Sequence, residues 1–494
     1  MKKLLAFFSL PLYPLYFALY MSVSLLAYNL GELYPPAALR SVLIAALAAL
    51  ALTALFTRLY QEPHRAAFAA GGWMFLLLSY GHIQILFRLG AWLLWVWLAA
   101  LLFWAWIGFR WKGSPRVLTL ALNVLWLAML ASPLLTTGQF LLRERQLLAA
   151  EILPANAEQL SPSVGGEPPD IYYIILDSYA RADSLQTVYG FDNSPFLNEM
   201  KSLGFYAATC SQSNYDSTEL SLSSSLNFDY LQNLAPRVEG GRDKQPLWAL
   251  IQNNAAQRLL KQAGYETVSF ATGFTWSELR DSDEYLAPPL GFHQLNEFEV
   301  LFLDTTLAQA FQPAYKEQEF SRYRERTQFV LKELPQWAKR KGAQFFFVHL
   351  LDPHPPFVFD ENGATLGVGV YTNSTGYLAE VAYPQGYLNE VKFLNAQLPN
   401  LIRAIQANSS TPPVIVIQGD HGMWFQPPRF LTTNLNLYYF PQHEDALYPN
   451  VTPVNTFRLI FNEYLGANFP LLQDAAYDSA ESYYDFTLIP NECQ

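Results

Sequence analysis

The pattern of apolar and polar positions divides the chain into two unlike parts. Five long apolar stretches, at about residues 4–29, 37–58, 66–87, 90–108 and 117–137, follow one another through the first 140 residues. Each approaches the ~20 residues that a helix needs to cross the hydrocarbon of a bilayer. Residues 1–140 are therefore expected to form a five-helix transmembrane anchor. The first stretch begins Met-Lys-Lys, as a signal peptide does. Its apolar run is too long for one and four more spans follow, so a retained helix is expected, kinked at Pro11 and Pro14.

The pattern then changes. Residues 151–170 read EILPANAEQLSPSVGGEPPD, and this Pro, Gly and Ser punctuation predicts a linker over 141–169. Three short apolar runs follow, Ile171–Leu176 (IYYIIL), Phe345–Leu350 (FFFVHL) and Val414–Ile417 (VIVI). Their length and unbroken hydrophobicity suit buried parallel strands. Helical periodicity separates them at 194–203, 246–263 and 318–340. Alternating strands and helices predict an α/β domain over 170–494, with a central, mostly parallel sheet covered on both faces. Asn434–Pro441 and Thr452–Arg458 are expected to supply its closing strand and helix.

Charge gives the anchor an orientation. Lys2, Lys3, Arg58, Arg65, Arg110, Lys112 and Arg116 fall on one side of the five spans, with Arg40 and Arg88 on the other, and Arg143 and Arg145 just after the last span. The positive-inside rule then predicts a cytoplasmic N-terminus and an extracytoplasmic domain. Trp95, Trp97, Trp104, Trp106 and Trp111 crowd the fourth span and its inner end. His82, inside the third span, has no carboxylate beside it and reads as a neutral, bonded histidine. Of the chain's 42 acids and 31 bases, residues 1–150 hold 3 and 11, leaving 39 against 20 for the rest. So acidic a domain argues against nucleic-acid binding, and an anionic substrate there calls for local positive charge such as a metal ion. Two cysteines, Cys210 and Cys493, make no disulfide framework and leave one bridge open.

Ligands of open α/β sheets bind beyond the carboxyl ends of the strands. Asp177 follows the first run; His349, Asp352 and His354 lie at the end of the second; Asp420 and His421 follow the third. Carboxylates and imidazoles brought to one edge form a ligand set for Zn²⁺ or Mn²⁺, with Mg²⁺ a harder alternative. One divalent ion is the expected cofactor. The Ser-rich stretch Ser211–Asn227 offers a nucleophile, with Asp216 or Ser217 expected to cap a helix starting near Thr218. His349 lies within its strand, and both a core role and a substrate contact stay open.

Four segments in this order, IILDSYARAD, SNYDSTELSLSSSL, HLLDPHPPF and VIVIQGDHG, resemble the alkaline phosphatase and sulfatase superfamily. The layout is similar to that of its membrane-anchored members, including lipoteichoic acid synthases and lipid A phosphoethanolamine transferases. The resemblance implies an alkaline-phosphatase-like fold. It implies Asp177, Thr218, Asp420 and His421 as metal ligands, Thr218 as nucleophile and His354 as a catalytic histidine on the substrate side. Asn214, His349 and Asp352 become candidate substrate contacts. Two departures are visible. No Cys/Ser-x-Pro-x-Arg segment, the formylglycine site of true sulfatases, is present. Asp352 and His354 stand closer than the second ligand set of two-metal members, and His443 is the one later histidine. The expected activity is phospho-group transfer or hydrolysis on a lipid or envelope-glycan substrate, with membrane lipids as partners. The alternatives are a sulfate- or phosphate-ester hydrolase and a non-catalytic membrane scaffold. Arg458 is expected to form a structural salt bridge.

Overall fold

Four of the apolar stretches fold into helices long and apolar enough to cross a membrane in the computed structural model, which describes residues 9–149, 168–234, 243–291, 294–371, 382–424, 426–479 and 483–493. They are α2 (Leu39–Tyr60), α3 (Pro63–Phe87), α4 (Leu93–Arg110) and α5 (Arg116–Leu148). α1 (Tyr13–Tyr28) is a shorter apolar helix of 16 residues, with Pro14 in its first turn, where proline is tolerated. Of the segment expected to be a linker, residues 141–148 continue α5 as helix, and residues 150–167 lie outside the described residues.

The chain forms two compact units, and their composition departs from a simple cut along the sequence. Residues 291–319 belong with residues 1–143, while 144–290 and 320–494 form the other unit. In the first unit, α6 (Glu297–Thr305) opens with a reciprocal capping box between Asn296 and Glu299. Its Phe298 and Phe302 pack with Phe17, Leu26, Ala45, Met74 and Leu78 of the apolar helices. Glu299 is also ion-paired with Arg40, whose Nη2 donates to the Gln294 carbonyl at 2.6 Å. A Cβ on Gly81 would lie 1.9 Å from the Asp304 carbonyl oxygen, so only glycine lets α3 approach this segment so closely. The indoles of Trp97 and Trp104 donate to the carbonyls of Leu76 and Phe68, fastening α4 to α3, while Trp95 and Trp106 point outward.

The second unit is built on a seven-stranded sheet. Its order is β2 (Tyr206–Ala207), β7 (Asn436–Tyr439), β6 (Val414–Gly419), β1 (Ile171–Leu176), β5 (Gln344–Leu350), β3 (Glu266–Phe270), β4 (Glu284–Leu286). β6, β1, β5, β3 and β4 are parallel; β7 runs antiparallel to β6, and β2 antiparallel to β7. The expected mostly parallel α/β architecture is what the chain adopts. Strand alternation sends successive side chains to opposite faces, and each face has its own core. Tyr172, Ile174, Phe346, Val348, Ile415 and Ile417 pack on one side. Ile171, Tyr173, Ile175, Phe345, Phe347, Val414 and Val416 pack on the other. The helical pattern at 246–263 is two helices, Gln245–Gln252 and Ala255–Gln262, because Asn254 caps the second by accepting from Gln257 N. Cys210 and Cys493 are joined in a disulfide, which settles the open pairing. β8 (Ala476–Asp478) and β9 (Thr487–Ile489) form a separate hairpin.

Candidate functional site

The register of β1 against its neighbours brings three strand ends level. Leu176 is opposite Leu350 on one side and Gly419 on the other. Continuing the alternation, Asp177 follows Ile175, His349 follows Phe347, and Asp420 lies two steps beyond Gln418, all on the face that carries Tyr173, Phe345 and Val416. The turn after β1 is pinned to the turn after β6. Ser178 sits at φ 68, a left-handed conformation uncommon for a residue with a side chain. Its N–H donates to Asp420 Oδ1 at 2.8 Å and its hydroxyl to the Gly422 carbonyl at 2.7 Å. A Cβ on Gly422 would fall 1.9 Å from the Phe430 carbonyl oxygen, which explains the glycine of Asp-His-Gly.

Ligand atoms of Asp177, Asp420 and His421 lie within 4.8 Å of one another, and all three residues are buried. Asp420 and His421 each have one polar atom anchored and one left over. Asp420 Oδ1 accepts from Ser178 N and from His421 N at 2.9 Å, while Oδ2 has no hydrogen-bond partner. The His421 Nδ1–H donates to the Gly422 carbonyl at 2.8 Å, which fixes the tautomer and leaves Nε2 as a bare lone pair. Asp177 Oδ1 is likewise without a partner. Buried polar atoms are rarely left so. Three converging lone pairs, from two carboxylates and an imidazole, are the donor set of a divalent cation, and these residues fit the metal that the sequence led us to expect.

The three groups act on one another electrostatically. Burial pushes Asp177 up, but His354, His349 and His421 outweigh it and hold its carboxyl below the ordinary range. Asp420 is raised by burial and by the neighbouring Asp177. Burial would lower His421, yet Asp420 and Asp177 raise it.

Thr218 begins helix α7 (Thr218–Ser225). Leu222 and Leu226, four and eight positions on, pack into the core on the site's face of the sheet, which places Thr218 on the same side of the helix. The capping expected of Asp216 or Ser217 is not made: Ser217 is the N-cap residue but its hydroxyl bonds nothing, and Asp216 accepts from Ser479 Oγ at 2.9 Å. His354 Nδ1–H donates to the Pro355 carbonyl at 2.7 Å, which leaves Nε2 to act outward, and its ring stands edge-on to Trp424 at 5.3 Å.

The three expected substrate contacts lie in closed surroundings. Asn214 is fully buried; its carbonyl accepts from Val454 N at 2.7 Å and its amide donates to the Ala475 carbonyl at 2.9 Å, so it braces the fold. Asp352 falls on the opposite face of the sheet, where it accepts from the Thr327 hydroxyl at 2.5 Å and adjoins Glu390. His349 has a ring closed to solvent. Arg458 is structural, but among the described residues it forms no salt bridge and donates to the carbonyls of Phe228 and Pro470. His443 pairs with Glu463 at 2.8 Å instead of joining a second metal set. Ser178 was missed, since nothing in its residue type announces a left-handed turn.

A family model for sulfatases matches residues 169–455, more than half of the chain. The chain belongs to the sulfatase family. This places it in the alkaline phosphatase and sulfatase superfamily, among hydrolases and transferases. It is similar in structure to the C-terminal periplasmic domain of EcEptC from Escherichia coli, at 16% identity and a TM-score of 0.43, over 68% of this chain and 96% of that one. The integral membrane protein lipooligosaccharide phosphoethanolamine transferase A of Neisseria meningitidis is similar over 92% of this chain and 94% of its own, at 11% identity and a TM-score of 0.39. A phosphonate monoester hydrolase of Agrobacterium radiobacter is similar at 13% identity and a TM-score of 0.39, over 63% and 79%. No curated protein matches the sequence.

Proposed function

We propose that the protein is a membrane-anchored, metal-dependent phospho-group transferase or hydrolase with Thr218 as its nucleophile. Residues 1–140 are the anchor, with the N-terminus in the cytoplasm, and the domain over 170–494 works outside it. The observation that carries the proposal is the buried meeting of Asp177 Oδ1, Asp420 Oδ2 and His421 Nε2, three lone pairs with no partner. A scaffold that had lost catalysis would have no reason to keep so costly an arrangement.

Asp177, Asp420, His421 and the Thr218 hydroxyl would hold the ion, Zn²⁺ or Mn²⁺ by the chemistry of an imidazole ligand. When bound, it supplies charge neutralisation and activation of a hydroxyl. Thr218 Oγ attacks phosphorus, its proton passing to solvent, and the bond to the leaving oxygen breaks. That oxygen takes a proton from His354 Nε2, the ring atom left free by the Pro355 bond. An acceptor hydroxyl or water then attacks the phosphorus and gives its proton to His354, while the bond to Thr218 Oγ breaks and that oxygen regains a proton from solvent. Phosphorus is favoured over sulfur because the formylglycine segment is missing. An apolar anchor favours a lipid donor, and a phospholipid headgroup meets both requirements.

The test is covalent labelling. Full-length protein incubated with a headgroup-labelled phospholipid should acquire label, and Thr218→Ala should not. Label retained by Thr218→Ala would remove Thr218 from the mechanism.

A further inference from the structure

The three ligands are anchored differently, and the difference assigns a role to His349. Asp420 is held by two backbone N–H groups, and His421 by a backbone carbonyl. Asp177 is approached by side chains alone on its two oxygens. Oδ1 turns toward His421 Nε2, 3.6 Å away, and Oδ2 turns toward His349 Nε2, 3.4 Å away. We infer that His349 is the positioning residue of the metal centre: its Nε2 faces Asp177 Oδ2 at 3.4 Å with no other partner, so that a proton there would draw Oδ2 and leave Oδ1 for the ion. This rests on the metal reading above and deepens it.

Three other roles fit less well. As a packing residue His349 is a poor choice, because Phe345, Phe346 and Phe347 fill the same strand and the imidazole leaves both ring nitrogens buried without a hydrogen bond. As a substrate contact it fits poorly, because its ring is closed to solvent. As a fourth ligand it lies outside the group of mutually close ligand atoms, which comprises Asp177, Asp420 and His421 among the described residues. The arrangement inverts a familiar one: a carboxylate commonly orients a metal-bound histidine, and here a histidine orients a metal-bound carboxylate.

Two variants of the full-length, detergent-purified protein test this. His349→Phe keeps the bulk and removes the donor; His349→Gln keeps an N–H that can reach the same oxygen. Zn²⁺ affinity is measured by chelator competition, and Co²⁺-loaded protein by its visible absorption. His349→Phe should bind Zn²⁺ about 10–100-fold more weakly, the usual effect of losing such a partner, and His349→Gln should recover most of the loss. The Co²⁺ spectrum should keep its ligand-field pattern in both. Wild-type affinity in His349→Phe overturns the inference, and so does a Co²⁺ spectrum that loses a nitrogen ligand in both variants. Melting curves of the metal-free proteins separate an unfolded variant from a weakened site, and His349→Gln then decides. Wild-type protein that takes up no metal would instead defeat the metal reading.

Discussion

Both faces of the central sheet bury a pair of carboxylates at its C-terminal edge, and the two pairs solve the same problem in opposite ways. On one face Asp352 accepts from Thr327, and Glu390 accepts from Val358 N and Phe359 N at 2.6 and 3.0 Å. Glu390 is raised well above the ordinary range by burial and by Asp352 beside it. Its second oxygen, which has nothing to accept from, is satisfied once it carries a proton for Asp352. On the other face Asp177 and Asp420 are joined by His421, with one bare lone pair on each. A single proton can bridge one pair of acceptors; it cannot satisfy three that converge. Burial of acids is thus not in itself a sign of chemistry. The sign is whether a proton suffices.

The sharpest way to break the comparison is to remove one carboxylate from each face. Asp420→Asn should lose bound metal and on the order of 10³-fold in turnover of a phosphodiester substrate. Asp352→Asn should keep its full metal content, as read by metal analysis of the purified protein. Loss of metal in Asp352→Asn would show that the two faces are not independent.

A smaller effect belongs to Glu390. Glu390→Ala strips the acceptor from two buried N–H groups and leaves Asp352 without its partner, which should cost about 3 kcal/mol of stability. Glu390→Gln keeps the acceptor and offers Asp352 a donor, so it should melt close to the wild type at low pH. The sign of the pH effect follows from the raised Glu390. The folded state holds a proton that the unfolded chain releases, so the pair's stabilisation is complete below the free glutamate's range and falls as pH rises. Glu390→Gln escapes that fall and should gain on the wild type from pH 5 upward, in thermal melts. Parallel melting curves for the two proteins would mean the pair holds no proton.

The face that matters was legible in the sequence to a limited degree. Uninterrupted runs such as IYYIIL and VIVI announce buried parallel strands, and Asp-His-Gly after the second marks a strand end with ligands. Strand parity could have separated the rest: His349 continues the series Phe345, Phe347, while Asp352 continues Val348, Leu350 on the far side. The short strands β2, β3 and β4, of two to five residues, carry too little pattern to be seen. Residues 291–319 were hidden for another reason. EFEVLFLDT reads as an ordinary amphipathic helix, and only the packed structure shows that Phe298 and Phe302 have apolar membrane helices as their partners.

The mildest test compares the two ends of one strand. Asp170 precedes β1 as Asp177 follows it. Its Oδ1 accepts from Gln344 N at 2.9 Å and its carbonyl accepts from Val414 N at 2.8 Å, tying the starts of β1, β5 and β6 together. No imidazole lies among the groups that shift it: burial pushes it up to about 6 against the pull of the Gln344 N–H. A raised acid contributes fully below the unfolded value of about 4 and loses its contribution as pH climbs to about 6. Asparagine keeps the oxygen that Gln344 needs and cannot ionise. Asp170→Asn should therefore match the wild type near pH 4 and gain on it as pH climbs through about 6, with no further gain above about pH 7 and no change in bound metal. A gain already present at pH 4 would trace to packing instead of ionisation. A loss of metal would mean that the anchored start of β1 governs where Asp177 ends up, and the two ends could no longer be treated apart.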